Sequence, residues 1–118
     1  MKIAVIGSRG ITKIDLGKYL PEGTTEIVSG GAKGVDTCAA QYARANGLKL
    51  TEFLPDYETY GRGAPLVRNE QIVDYCDKLI AFWDGKSTGT VYTVKACVRK
   101  GVPFKAYSNK PDAVMDLS

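Results

Sequence analysis

The sequence predicts a doubly wound α/β domain in which helices cover both faces of a five-stranded parallel sheet. Five short, mostly continuous apolar runs alternate with four helix-like segments, and this alternation is typical of parallel strands joined by right-handed crossovers. Continuous rather than alternating runs are expected for strands that are buried on both faces. The five predicted strands are residues 2–6, 26–29, 49–54, 78–82 and 103–107.

The first two connections are each predicted to contain a helix. Residues 12–20 begin with Thr12 and Asp15 at the spacing of a capping box, with aspartate in place of the usual glutamate. Residues 33–46 place apolar side chains at helical spacing, and Gly47 follows as a C-terminal stop. Each of these connections therefore joins two parallel strands through a helix.

The last two connections also carry helical patterns, over residues 64–76 and 88–100. The second of these ends in two basic residues, which complement the helix dipole, and then in Gly101. The inward-facing residues are predicted to be Ile72, Val73 and Cys76 in the third helix and Val91, Val94, Cys97 and Val98 in the fourth.

Length and composition limit the class of protein. A chain of 118 residues, 44% hydrophobic and 25% charged, fits one domain over residues 1–118, with residues 108–118 expected to be loosely ordered. Cys38, Cys76 and Cys97 lack metal-ligand spacing, which predicts buried thiols in a reducing cytoplasm. No apolar run is long enough for a signal peptide or a membrane span. The sequence has no histidine, which excludes Ser-His-Asp catalysis and histidine-ligated metal, and we expect neither a metal nor a required cofactor.

Three predicted strands end in segments rich in glycine and small hydroxyl residues, at 7–10, 29–34 and 84–90. Glycine lets backbone N–H groups approach an anion closely, and a following helix adds the positive end of its dipole. Because the carboxyl ends of parallel strands meet at one edge of the sheet, we expect one shared site for a phosphate-bearing ligand there. Two known phosphate motifs fail: Ile80 stands where a P-loop needs its first glycine, and Ala32 interrupts the pattern G-x-G-x-x-G.

In combination, three segments strongly resemble the SLOG superfamily, and most closely its small branch of YspA- and YpsA-related bacterial and phage proteins. These segments are SGGAKGVDT at 29–37, RN at 68–69 and AFWDGKSTGT at 81–90, and the resemblance extends from Lys2 to about Tyr107. It implies a Rossmann-like three-layer α/β/α sandwich with strand order 3-2-1-4-5, and a nucleotide-like ligand such as an NAD or ADP-ribose derivative. The same superfamily includes the LOG phosphoribohydrolases and the DNA-processing protein A family.

The resemblance has one important departure. The LOG enzymes carry P-G-G-x-G-T-x-x-E, in which the glutamate serves hydrolysis. When Gly89 and Thr90 are aligned with the G-T of that motif, Thr93 takes the position of the glutamate, and Asp84 and Gly85 replace the P-G. The phosphate-binding part of the motif is retained better than the catalytic part, which argues against hydrolysis of the LOG type.

The predicted ligand-binding residues come from the three glycine-rich segments, the loop 57–65 and the third helix. They are Gly7, Ser8, Arg9, Ser29, Gly30, Gly31, Ala32, Gly34, Asp36, Tyr60, Arg68, Asn69, Trp83, Asp84, Gly85, Ser87, Thr88, Gly89 and Thr90. The backbone N–H groups of the second segment are expected to point at a phosphate, so that a side chain at Gly31 would occupy ligand space.

Several of these residues have two interpretations. Arg9 could clamp a phosphate or be an ordinary solvated arginine. Asp36 could bind a ribose hydroxyl or complement the dipole of its helix. The loop 57–65 could close over a base with its aromatic rings or be a plain surface connection. Trp83 could be a ligand wall or a subunit contact, although core packing is favoured, and Asp84 is favoured as a turn former.

Three functions fit these observations. The first is a nucleotide-binding protein, such as a sensor, because three glycine loops occur without a complete acid–base pair. The second is cleavage of the N-glycosidic bond of a nucleoside monophosphate, with Glu70 or Asp84 as the carboxylate. The third is binding of single-stranded DNA, against which a net charge of +3 without a basic stripe argues. We also expect a homo-oligomer, either a dimer or a tetramer, and no membrane partner.

Overall fold

The chain folds around a sheet of five parallel strands. The computed structural model describes residues 1–110 and 112–117. The strands are β1 (Lys2–Gly7), β2 (Glu26–Ser29), β3 (Lys49–Glu52), β4 (Lys78–Trp83) and β5 (Phe104–Ser108). Their order is β3-β2-β1-β4-β5 and every pairing is parallel, which confirms the predicted fold class and strand order. The looser order expected for residues 108–118 stays a prediction, and residues 111 and 118 of that segment lie outside the described residues.

Helices cover both faces of the sheet, as continuous apolar strands require. The α-helices are α1 (Val35–Ala45), α2 (Tyr57–Tyr60), α3 (Ala64–Tyr75) and α4 (Thr88–Lys100), and single 3-10 turns occur at Leu16–Lys18 and Gly61–Gly63. Helix α1 packs on β1, β2 and β3, whereas α3 and α4 pack on each other, with α3 against β1 and α4 against β4 and β5. Among the described residues, no helix is long and apolar enough to cross a membrane.

Successive residues of the central strand β1 point into two different hydrophobic clusters. Ile3 and Val5 belong to the cluster under α1, and Ala4 and Ile6 belong to the cluster under α3 and α4. All four side chains are buried. A shift of β1 by one residue would exchange the two sets of side chains. The packing therefore fixes the register of β1, and with it the position of its carboxyl end at the edge of the sheet.

The predicted helix over residues 12–20 was wrong. Within that segment only Leu16–Lys18 form a single 3-10 turn. Asp15 precedes this turn without a side-chain capping bond, so the expected capping box with Thr12 does not form. Gly17 lies inside the turn, and glycine costs about 1 kcal/mol relative to alanine within a helix. The glycine therefore adds to the cost of nucleating an α-helix in this segment.

The buried stripe of α4 differs from the predicted one. Thr90, Thr93, Val94, Ala96 and Cys97 are buried, whereas Val91, which was predicted to face inward, is only half-buried. Val98 is 54% exposed, so its predicted inward orientation was wrong. The stripe includes hydroxyl residues because Thr90 and Thr93, in the first turns of α4, border a cleft at the edge of the sheet.

Two of the three cysteines are buried, as predicted. Burial raises the pKa of Cys76 to about 11 and that of Cys97 to about 12, so both thiols stay protonated at neutral pH. Cys38 is only half-buried, because it lies at the edge of the packed face of α1 and its Sγ donates to the Thr12 carbonyl at 3.2 Å.

Candidate functional site

An open cleft of about 380 Å³ lies at the carboxyl edge of the sheet, where the three glycine-rich segments meet the first turns of α1, α3 and α4. This is the edge at which doubly wound sheets bind ligands, and the volume is in the range of small-molecule sites. The lining comprises Ile6, Gly7, Arg9, Gly10, Gly30, Ala32, Asp36, Pro65, Leu66, Arg68, Asn69, Ile72, Asp84, Ser87, Gly89, Thr90 and Thr93.

The cleft brings together many, but not all, of the predicted site residues. Those in its lining are Gly7, Arg9, Gly30, Ala32, Asp36, Arg68, Asn69, Asp84, Ser87, Gly89 and Thr90. Those outside its lining are Ser8, Ser29, Gly31, Gly34, Tyr60, Trp83, Gly85, Thr88 and the candidate base Glu70. The lining residues that were not predicted to bind a ligand are Ile6, Gly10, Pro65, Leu66, Ile72 and Thr93. Helical spacing from Arg68 and Asn69 could have identified Pro65 and Ile72.

Close approach of protein groups explains two glycines of the second segment. A Cβ atom built on Gly30 would lie 2.5 Å from Nη1 of Arg68. A Cβ atom on Gly34, which has a φ of +75°, would collide with the backbone of Arg9. A side chain at Gly34 would therefore push apart two loops that form the cleft, whereas a side chain at Gly30 would displace the Arg68 guanidinium, and both effects hold whether or not a ligand is bound.

Gly31 does not point into the cleft. Its backbone N–H donates to Ser29 Oγ at 3.4 Å, and a Cβ atom built on it would meet the side chain of Leu54. A side chain at Gly31 would thus press on the segment after β3 rather than occupy the cleft. The φ of +68° at Gly31 would strain any other residue, so glycine is favoured here by the turn itself.

Arg68 is a buried cation at the floor of the cleft. It is 8% exposed, its Nη1 donates to the Gly30 carbonyl at 2.5 Å, and its Nε donates to Asn69 Oδ1 at 2.8 Å. Burial lowers the pKa of Arg68, and the nearby negative charge of Asp36 partly opposes that change. These two bonds use two of the five N–H donors of a guanidinium, so the remaining donors can serve a ligand in the cleft.

Asp36 supports the loop that precedes it. The residue is 7% exposed, and its Oδ2 accepts the Ala32 N–H at 3.0 Å. Burial raises the pKa of the Asp36 carboxyl, while the Ala32 N–H and the positive charge of Arg68 act in the opposite direction. Asp36 lies in the first turn of α1, so it complements the helix dipole and also holds the glycine-rich loop against α1.

The turn after β4 is organised by Asp84, as the sequence predicts. Its Oδ1 accepts N–H groups of Lys86 and Ser87 at 2.8 and 2.9 Å, and these bonds lower its pKa. Ser8 Oγ accepts the Asp84 N–H at 3.0 Å and so ties this turn to the end of β1. Trp83 is buried and donates its indole N–H to the Ser87 carbonyl at 3.1 Å, which is a packing role.

The first turn of α4 presents hydroxyl groups to the cleft. Ser87 caps the helix, and its Oγ accepts the N–H of Thr90 at 3.4 Å and the hydroxyl of Thr90 at 3.1 Å. Thr93, at the position of the LOG glutamate, is fully buried and donates its hydroxyl to the Gly89 carbonyl at 2.8 Å. This end of the cleft therefore offers a helix N-terminus and hydroxyls, and a carboxylate does not occupy position 93.

Glu70 and Tyr60 lie away from the cleft lining. Glu70 forms ion pairs with Arg99 at 3.0 Å and Lys100 at 3.4 Å, and the hydrogen bond from Arg99 lowers its pKa. Tyr60 is 46% exposed on α2, a helix that buries none of its residues. The segment predicted as a long loop thus contains α2 and a 3-10 turn, and the structure gives no support to Glu70 as a carboxylate of this cleft.

Positive charge in the cleft comes from Arg9 as well as Arg68. Arg9 is exposed at the end of β1 and forms no ion pair with any described residue. Burial has the largest effect on the pKa of Arg68, followed by the charges of Asp36 and Tyr57. The positive charge of Arg9 also lowers this pKa, so the two guanidinium groups are close enough to interact electrostatically. The described residues include no group of metal-ligating side chains that could hold a metal ion.

Comparisons with known proteins agree with this architecture. A family model described as the YspA, cpYpsA-related SLOG family (YAcAr) matches residues 1–60. The gene 61 protein of Mycobacterium phage D29 is 33% identical over 91 residues, which are 72% of this chain and 73% of that protein. The chain belongs to the YspA, cpYpsA-related SLOG family.

A solved structure extends the comparison to nearly the whole chain. DNA processing protein A (DprA) from Streptococcus pneumoniae superposes with a TM-score of 0.75 over 98% of this chain, at 24% identity. This chain spans about half of that DprA chain, namely 53% of its length. The likeness shows that the two proteins share the fold.

Proposed function

We propose that this SLOG protein binds a nucleotide or a nucleotide derivative, such as an ADP-ribose-like compound, in the cleft and serves as a sensor. The observation that carries the proposal is the presence of two arginines, Arg9 and Arg68, in one cleft at the carboxyl edge of the sheet. A buried guanidinium that is already oriented by Gly30 and Asn69 loses little entropy when it binds an anion. The N-terminus of α4 adds a second group that favours negative charge.

Calorimetry and thermal shift with AMP, ADP, ADP-ribose and NAD test this proposal. A ligand at 100 times its Kd should stabilise the protein by about 2.7 kcal/mol. Arg9→Gln should weaken binding roughly tenfold or more, because hydrogen bonds to charged groups contribute about 1.5–3 kcal/mol. Lys33→Gln is the matched control: Lys33 is exposed in the neighbouring loop, outside the cleft lining, and carries the same charge. Absence of binding for the whole panel, or equal effects of the two variants, would contradict the proposal.

Cleavage of an N-glycosidic bond is a second candidate, because the carboxylates of Asp36 and Asp84 both lie in the cleft lining. Long incubation with a panel of nucleoside monophosphates, followed by chromatography for the free base, tests it. An Asp84→Asn variant that releases base at the parental rate would exclude Asp84 as the carboxylate. No free base from any substrate would exclude the activity.

Single-stranded DNA is a third candidate ligand, since the structural neighbour is described as a DNA-processing protein. The sequence-based expectation against nucleic acid has no support from that comparison. Arg9, Lys33 and Lys86 are exposed in the three loops that border the cleft. Fluorescence anisotropy with a labelled oligonucleotide should show affinity that falls steeply between 50 and 200 mM salt, as counterion release requires. The expected homo-oligomer, a dimer or a tetramer, also stays a prediction, and sedimentation analysis of the purified protein would test it.

A further inference from the structure

A second pocket, of about 270 Å³, lies between the segment 11–19 and the carboxyl ends of β4 and β5. It shares no lining residue with the cleft. Gly10 lines the cleft and the next residue, Ile11, lines this pocket, so the segment after β1 forms a wall between the two. The pocket exists because residues 11–15 are not helical and leave part of the sheet face uncovered.

Three aromatic rings form one side of this pocket. Tyr19 contacts Phe82 edge to face with ring centroids 5.0 Å apart, and it contacts Tyr107 at 4.7 Å. Phe82 and Tyr107, which are neighbours in the register of β4 and β5, stack at 5.7 Å. Phe82 is buried, but the two tyrosines are only partly buried. The pocket therefore exposes ring surface onto which a planar group could pack.

The rim of the same pocket carries a positive charge that is not neutralised within the described residues. Lys13, Asp15 and Lys18 all line it. Lys18 pairs with Asp15 at 3.8 Å, whereas Lys13 is exposed and forms no ion pair with a described residue. The net charge of these three side chains is therefore positive. Asn109 adds an amide that can donate a hydrogen bond.

We propose that this pocket is a second ligand site, which binds a planar aromatic ring that bears a carboxylate or a phosphate. The ring stacks on the tyrosine surface and the anionic group pairs with Lys13. The proposal does not depend on what occupies the cleft. Two sources share this chemistry, namely a free aromatic acid and the base and phosphate of a nucleotide, and the experiment separates them.

Amide NMR titrations of the full chain test the proposal, with indole-3-carboxylate as the aromatic acid, indole-3-carboxamide as its neutral counterpart, and AMP as the nucleotide. We expect saturable shifts at Lys13, Tyr107 and Asn109, without shifts at Gly30 or Gly89 of the cleft, for the carboxylate. Shifts at the same three residues with AMP would identify a nucleotide as a source. The carboxamide should bind more weakly than the carboxylate, because it cannot pair with a lysine.

Two variants and a control make the outcome decisive. Lys13→Gln should weaken indole-3-carboxylate roughly threefold to fivefold, as expected for an exposed ion pair, and leave the carboxamide unchanged. Tyr107→Leu should weaken both compounds, because it removes the ring. Lys95→Gln, at an exposed lysine of α4, should change neither. The proposal is overturned if no shift saturates up to about 10 mM ligand, or if Lys13→Gln binds like the parent. It is also overturned if the three residues shift with protein concentration alone, which would assign the pocket to a second copy of the chain.

Discussion

Substitution of Gly30 by alanine should displace the buried guanidinium of Arg68 from its position in the cleft. The added Cβ would lie 2.5 Å from Nη1 and 2.8 Å from Cζ of Arg68, so the guanidinium must move. Gly30 is not among the glycines with positive φ, and alanine therefore adds no backbone strain. The structural consequence is the loss of the hydrogen bond from Arg68 to the Gly30 carbonyl, in a buried position. Both stability and ligand binding should respond.

The magnitude follows from that bond. A buried hydrogen bond to a charged group contributes about 1.5–3 kcal/mol. At an unfolding entropy of about 2.1 cal/mol/K per residue, a chain of 118 residues should lose about 6–12 °C in Tm. Nucleotide affinity measured by calorimetry should fall at least about tenfold, because the displaced guanidinium no longer faces the cleft in a fixed orientation.

Gly63→Ala is the control for this substitution. Gly63 has a φ of −78°, and an added Cβ there meets no described atom within 4 Å. That variant should melt and bind like the parent. If Gly30→Ala also melts within about 2 °C of the parent, the Arg68–Gly30 hydrogen bond contributes far less than about 1.5 kcal/mol, and the reasoning from that bond is refuted. If it melts lower but keeps full affinity, Arg68 supports the fold and does not serve the ligand.

Two further predictions concern the stability of the fold, one through backbone packing at Gly34 and one through charge at Glu26. Gly34→Ala should lower the free energy of unfolding in urea by at least about 3 kcal/mol, because it adds a collision with the Arg9 backbone to the strain of a positive φ. Gly47 also has a positive φ but open space around it, so Gly47→Ala should cost only about 1–2 kcal/mol. Equal losses in the two variants would refute the collision. Burial alone would raise the pKa of Glu26, but hydrogen bonds led by that from Tyr75 lower it below 4.5 overall, so Glu26→Gln should destabilise by about 1–3 kcal/mol at neutral pH. Because a lowered folded pKa stabilises only above the unfolded value, the difference between Glu26→Gln and the parent should shrink as the pH falls below about 4.5, and a difference independent of pH would refute this.

Most of the fold could be predicted from the sequence, because its apolar runs and helical stripes report burial directly. The strand order needed the family resemblance, since pattern alone does not say which strands are neighbours. The predicted helix over residues 12–20 does not form, for a physical reason. The spacing of its polar residues satisfies a local helix signal, but Leu16 is its one fully buried side chain, and Ile14, Tyr19 and Leu20 are only partly buried against the same cluster. That burial is too little to hold a helix on the sheet.

The position of the cleft could also be predicted, since the carboxyl ends of β1, β2 and β4 must share an edge. What the sequence could not resolve is which glycine faces the cleft. Gly30 and Gly31 are adjacent and identical in type, yet the first faces Arg68 and the second faces Leu54. Their directions depend on the path of the loop against α3, and no local pattern contains that information.

The carboxylates of the cleft argue for binding over turnover. Asp36 Oδ2 accepts the N–H of Ala32, and Asp84 Oδ1 accepts the N–H groups of Lys86 and Ser87. A carboxylate that stabilises charge on a ribose must face it, and one oxygen of each of these groups is instead engaged by the loop whose shape it maintains. At the position where the hydrolases of the superfamily carry glutamate, the Thr93 hydroxyl is bonded to its own helix. The cleft thus combines cations that have donors left for a ligand with carboxylates that are partly engaged by the protein, and this combination is our reason for proposing recognition of a phosphate ahead of cleavage of a glycosidic bond.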